Sequence, residues 1–176
     1  MIKLIDGKGQ LGTALFELLA EDIDEFSNFD VTIYHTWNFL DKREEIQKGY
    51  YEDFKKFVDE NPGLKMVFIS TISFADNPYV LYKQLSESYL LEKNKNGFVI
   101  RLPNMIGKGI CQRFRTEEID PFGEFELITI KNAARNVLNI IKSGLTVKSF
   151  TIKGTPIPAT LVKNLVVFGR DGKLLN

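Results

Sequence analysis

The sequence predicts an α/β protein in which a parallel sheet carries helices on both faces. Short apolar runs over 1–5, 31–34, 66–69 and 98–100 alternate with longer stretches of helical period. Repeated strand–helix–strand crossovers produce that alternation. The first run leads through Gly7-x-Gly9-x-x-Gly12 into a helical pattern. The third ends in Ser70-Thr71, and the helix after it opens on Asn77-Pro78.

Composition narrows the class. The 176 residues suffice for one domain with a core, read here as a single domain over 1–176. Hydrophobic residues make up 44% and charged residues 26%, as in soluble globular proteins. Lysine plus arginine and aspartate plus glutamate both total 23, so no basic field favours nucleic acid or a membrane surface. The apolar runs are too short to span a bilayer. The chain opens directly on a strand pattern, and Cys111 is its one cysteine. These features lead us to expect a cytoplasmic protein with no signal peptide or internal disulfide. With a single histidine, His35, far from Cys111, no metal site is expected.

The elements follow in order. Ile2 to Ile5 reads as a buried strand, and Thr13 to Ala20 is helical. Between them, Gly7 permits a tight turn, Gly9 lets backbone approach a pyrophosphate and Gly12 allows close helix–strand packing. The helix start adds free N–H groups and the positive end of its dipole. Glu21 to Asp30 is an acidic connector, and Val31 to Tyr34 is the next strand, followed by His35-Thr36-Trp37. Asp41 to Asn61 is an amphipathic helix with Ile46, Tyr50, Phe54 and Phe57 as its apolar stripe, ended by Pro62-Gly63. Asp76 or Asn77 caps the next helix, with Pro78 in its first position. Leu81, Leu85 and Tyr89, bordered by Ser88, mark its inward side. After the strand 98–100 comes an irregular stretch from Gly107 to Phe125. It is followed by a short strand over 127–130, a helix from Asn132 to Lys142, a last strand over 149–152 and a short helix from Ala159 to Leu165.

The chemistry concentrates after the third strand. Tyr79 and Lys83 lie four apart on one helix and share a face. An ammonium beside a phenol favours the phenolate and lowers its pKa, which makes the tyrosine a proton carrier to a carbonyl or alcohol oxygen. Thr71, at the C-terminal end of the strand, is placed to hydrogen-bond the same oxygen, at the end of an open α/β sheet where ligands bind. The eight residues from Thr71 to Tyr79 reach up to ~27 Å extended, ample for the turn.

Ser-Thr at a strand end, Tyr79-x-x-x-Lys83, and then Arg101-x-Pro103-Asn104-x-x-Gly107 resemble the extended short-chain dehydrogenase/reductase family, which includes nucleotide-sugar epimerases, dehydratases and 4-keto reductases. The glycine motif resembles that of its deoxysugar-nucleotide reductases, with one residue fewer between the first two glycines. The resemblance implies a three-layer, Rossmann-like domain that binds NAD or NADP. It implies Thr71, Tyr79 and Lys83 as the catalytic set. Gly7, Gly9, Gln10, Leu11 and Gly12 would hold the pyrophosphate, with Lys83 on the nicotinamide ribose and Pro103 lining the nicotinamide site. Asn104 aligns with a position that contacts the substrate diphosphate. Arg113 or Arg115 holds that diphosphate or forms a solvated loop. His35 matches a family histidine or is a structural hydrogen bonder. Trp37 departs from the small residue usual there, and it either narrows the cofactor cleft or caps the core.

The resemblance runs over nearly the whole chain with large deletions. The usual second and third strands have no counterpart, which leaves about five strands, makes the first strand an edge and removes one wall of the adenine pocket. The C-terminal substrate region is compressed. The expected function is an NAD(P)-dependent nucleotide-sugar epimerase, dehydratase or reductase of surface-polysaccharide biosynthesis. The alternative is a non-catalytic relative acting as a nucleotide-binding, regulatory or partner subunit. A bare edge strand invites pairing, so a homodimer is expected.

Overall fold

A computed structural model of the protein describes residues 1–5, 8–107 and 122–162. The main sheet contains β1 (Ile2–Ile5), β2 (Val31–Tyr34), β3 (Met66–Thr71), β4 (Gly97–Leu102) and β7 (Ser149–Thr151). Its spatial order is β1-β2-β3-β4-β7, and every pairing is parallel. This is the Rossmann-like, shortened sheet that the sequence predicts. Among the described residues β1 pairs with β2 alone and forms an edge, as the missing strands require.

Helices cover both faces. α1 (Gln10–Glu21) and α5 (Ile130–Lys142) pack on one side, where Leu11, Leu15, Leu18, Ala133, Val137 and Ile141 meet Ile33, Val67, Ile69 and Ile100. α3 (Glu44–Glu60) and α4 (Pro78–Lys93) cover the other, with Phe54, Val58 and Leu90 against Tyr34, Met66, Phe68 and Val99. Successive strand residues point to opposite faces, so the middle strands must be apolar on both, and their continuous apolar runs follow. The Phe54 and Phe68 rings, with centroids 4.6 Å apart, anchor the α3/α4 side.

A second, three-stranded sheet in the order β5-β6-β8 stands beyond β4. It consists of β5 (Asn104–Ile106), β6 (Glu124–Thr129) and β8 (Thr155–Pro158), with β5 parallel and β8 antiparallel to β6. Gly154 lets β8 approach, because a Cβ there would meet Leu127 backbone atoms at 2.7 Å.

Several expectations are corrected. The acidic connector contains a short helix, α2 (Ile23–Phe26). The strand expected over 127–130 is β6, which starts at Glu124, and Ile130 already belongs to α5. Pro156-Ile157-Pro158 is strand, tolerated because it lies at a sheet edge, and it runs directly into helical residues from Ala159. Of the expected inward side of α4, Tyr89 packs against the core, but Leu81 is 50% and Leu85 39% exposed, whereas Val80, Tyr82, Lys83, Ser86, Glu87 and Leu90 are buried. Polar anchors turn the helix this way. Glu87 accepts from Arg101 Nε at 2.9 and 3.1 Å, and Lys83 Nζ donates to the Ile69 carbonyl at 2.7 Å.

Candidate active site

The C-terminal ends of β1 to β4 open onto a cavity of about 710 Å³. Gly9, Gln10, Leu11, His35, Trp37, Thr71, Tyr79, Lys83, Pro103 and Asn104 all line it. Most of the residues expected in the site therefore share one cavity although they span 95 positions of sequence, from Gly9 to Asn104. Gly12 is buried in the first turn of α1. Gly7 and Arg113, with Arg115, lie outside the described residues.

Local sequence sets each element of the site. α1 begins at Gln10 with Gly9 as its N-cap, and no side chain caps it. First-turn N–H groups are thus left for a ligand at the positive end of the dipole. A Cβ at Gly9 would meet nothing within 4 Å, so the space above the turn is open. The Gln10 side chain reaches Gly107, where an added Cβ would meet its Oε1.

α4 is started by Asn77, whose Oδ1 accepts from the Val80 N–H at 3.2 Å, and by Pro78 behind it. Tyr79 consequently sits in the first turn. Thr71 Oγ1 accepts from the Ser73 N–H at 3.1 Å, and the Thr71 hydroxyl is hydrogen-bonded to the Tyr79 phenol. Burial pushes Tyr79 up to about 12, and the Thr71 hydrogen bond pulls the other way without reversing it. The phenol is thus shifted upward, where a lysine-driven depression was expected, and the Lys83 ammonium donates to the Ile69 carbonyl.

Lys83 itself is buried, and desolvation lowers it to about 7 against the opposing field of Glu87. Its Nζ lies 4.5 Å from the ring centroids of both Trp37 and Phe68. Trp37 thus both borders the cleft and packs against the core. His35 also lines the cavity. Ser70, which the sequence reading passed over, lines it too, and its hydroxyl is buried without a hydrogen-bond partner. Its position one residue before Thr71 was the available signal.

These features fit the pyrophosphate and nicotinamide end of a dinucleotide: an uncapped helix start, an open glycine turn and an unsatisfied buried hydroxyl. The adenosine end has no wall beyond β1 among the described residues. No group of three metal-ligating side chains occurs among the described residues. No described helix is long and apolar enough to cross a membrane.

No protein-family profile matches the chain, and no curated protein matches it. Solved structures do. The dTDP-4-dehydrorhamnose reductase of Clostridium acetobutylicum superposes with a TM-score of 0.69 at 17% identity, over 93% of this chain and 79% of that one. WbmG of Bordetella bronchiseptica, solved with NAD and UDP, gives 0.72 at 13% identity, over 95% and 77%. The UDP-N-acetylglucosamine 4-epimerase of Bacillus cereus gives 0.64 at 15% identity, over 95% and 83%. The chain has the fold of these enzymes. The resemblance read from the glycine turn, Tyr79-x-x-x-Lys83 and Arg101-x-Pro103-Asn104 thus holds at the level of three-dimensional structure.

Proposed function

We propose that the chain is an NAD(P)-dependent oxidoreductase or epimerase of the extended short-chain type, acting on a nucleotide-sugar in surface-polysaccharide biosynthesis in the cytoplasm. The observation that carries this reading is the convergence of Thr71, Tyr79 and Lys83 on the cavity into which the start of α1 opens. A reduced nicotinamide, when bound, supplies a hydride to a sugar carbonyl carbon. Tyr79 donates its proton to the carbonyl oxygen as the C=O bond becomes an alcohol. The phenol is protonated at neutral pH and so has a proton to donate. Thr71 orients the oxygen and hydrogen-bonds the phenolate left behind. Lys83 and Ser70 would hold the ribose, Gly9 to Gly12 the pyrophosphate and Pro103 the nicotinamide, while Asn104 and Arg113 would serve the substrate diphosphate.

Titration of the purified protein with NADH and NADPH tests this, followed by turnover of 4-keto nucleotide-sugars. Micromolar binding of either cofactor supports the proposal. No binding up to millimolar concentrations refutes it.

One observation favours a second reading. With β1 at the edge, the adenosine half of a dinucleotide lacks the strand that would carry its ribose-reading side chain. A non-catalytic, nucleotide-binding partner subunit has no need of that half. Binding of a nucleoside diphosphate without a nicotinamide would identify it. A homodimer completes the proposal and is supported by the outer side of β1, which no described strand pairs; a monomer mass by sedimentation would remove it.

A further inference from the structure

Lys83 is a lysine inside the protein that makes no ion pair with a carboxylate among the described residues. Glu87, one turn further along α4, is held bidentately by Arg101. The Ile69 carbonyl and the faces of Trp37 and Phe68 take the place of water around the ammonium. Phe68 is fixed by the sheet, whereas Trp37 follows β2 in a loop and needs its own support.

That support is Gln47, a fully buried glutamine on α3. Trp37 Nε1 donates to Gln47 Oε1 at 2.6 Å. Gln47 Nε2 in turn donates to the Asn38 carbonyl at 2.8 Å and to the Asp41 carbonyl. Both ends of the amide are engaged, so the indole and its loop are tied to α3. Tyr50 and Phe68 pack on the indole at 5.6 and 5.8 Å between centroids.

We propose that Trp37 is a positioning residue for Lys83: its indole, set by Gln47, closes a cage with Phe68 and the Ile69 carbonyl that holds the ammonium at the cavity wall. The cage accounts for the large side chain at a position where the resemblance leads one to expect a small one. A cation over an aromatic face is attracted by the ring quadrupole, and the attraction grows when water is excluded. The consequence for cofactor affinity rests on the nicotinamide reading; the cage itself does not.

Trp37 is the one tryptophan of the chain, so its fluorescence reports this site alone. Among the described residues, the titratable and charged groups around Lys83 are Tyr79 and Glu87 on α4, Arg101 on β4 behind Glu87, His35 on the loop that carries Trp37, and Lys8 and Lys42, which line the same cavity. Emission of the ligand-free protein is followed between about pH 5 and 10, a range that includes the histidine region. The expected result is an inflection close to 7, retained in His35→Gln, lost in Lys83→Met and moved upward in Gln47→Leu. An inflection that survives in Lys83→Met, disappears in His35→Gln or is absent from the wild type overturns the cage. For cofactor binding, Trp37→Ala is expected to weaken affinity about tenfold and Trp37→Phe less than about threefold. Equal losses in the two variants would make the role one of bulk packing and overturn the proposal. If the wild type binds neither cofactor, the proposed function fails while the ligand-free titration still decides the cage.

Discussion

The ammonium of Lys83 is hydrogen-bonded to the main-chain carbonyl of Ile69 at 2.7 Å, at the wall of the cavity that Tyr79 also lines. A lysine in that position carries a desolvation cost, and its pH dependence has a fixed sign. Its folded value, about 7, lies below the ordinary 10.5. Below about 7 it is charged in both states and the folded state bears the full cost. As pH rises from about 7 towards 10.5 the folded state gives up the proton first, so stability rises, and above that range the cost is gone. Lys83→Met is therefore expected to be more stable than the wild type at pH 7 by about 1 kcal/mol or more. The gap should narrow steadily towards pH 10. Urea midpoints at several pH values check this, and a gap that widens with pH contradicts it.

Tyr79→Phe removes the proton donor and leaves the ring. Turnover is expected to fall at least about 10²-fold, while cofactor Kd stays within about twofold. Steady-state kinetics and fluorescence titration on the same preparation separate the two quantities. Unchanged turnover removes Tyr79 from the chemistry.

Asn77 links stability to the site. Its side chain caps α4 one residue before Pro78 and two before Tyr79. Asn77→Ala is expected to cost about 1 kcal/mol, and the fraying falls on the turn that carries the phenol. Turnover should drop more than the small change in melting temperature implies. Asn77→Asp, which keeps the acceptor and adds charge at a helix N-terminus, should restore both.

Gly154→Ala tests the small sheet. The added Cβ would meet Leu127 N and O at 2.7 Å, and these are main-chain atoms that cannot rotate away. Separation of β8 from β6 is expected to cost about 1–3 kcal/mol. Gly49→Ala is the control: a Cβ at Gly49 meets nothing within 4 Å, and the mid-helix position should gain stability. Thermal melts of the two variants should shift in opposite directions.

Much of this arrangement was legible in the residues. The main sheet follows from apolar runs that must be buried on both faces, and the edge position of β1 follows from the shortness of the 21–30 connector. The cavity follows from the rule that parallel strands direct their C-terminal ends to one side, which gathers Gly9, Thr71, Tyr79 and Pro103. The inward face of α4 was not legible, because apolar periodicity favours Leu81 and Leu85. Long-range partners decide the matter instead: Arg101 draws in Glu87, and the Ile69 carbonyl draws in Lys83. β8 was hidden by its two prolines, which read as a break unless the strand is known to be an edge. The tie between Trp37 and Gln47 spans ten residues across a loop, and no period marks it.

The position of β1 bears on the order in which the molecule comes apart. Among the described residues β1 is hydrogen-bonded along one side only, so its amides should exchange with deuterium sooner than those of β3, which lies between two neighbours. The glycine turn hangs from that strand. A ligand phosphate seated on the start of α1 would hold the loosest strand of the sheet in place, and the protection it confers should be greatest at Ile2 to Ile5 although those residues do not line the cavity.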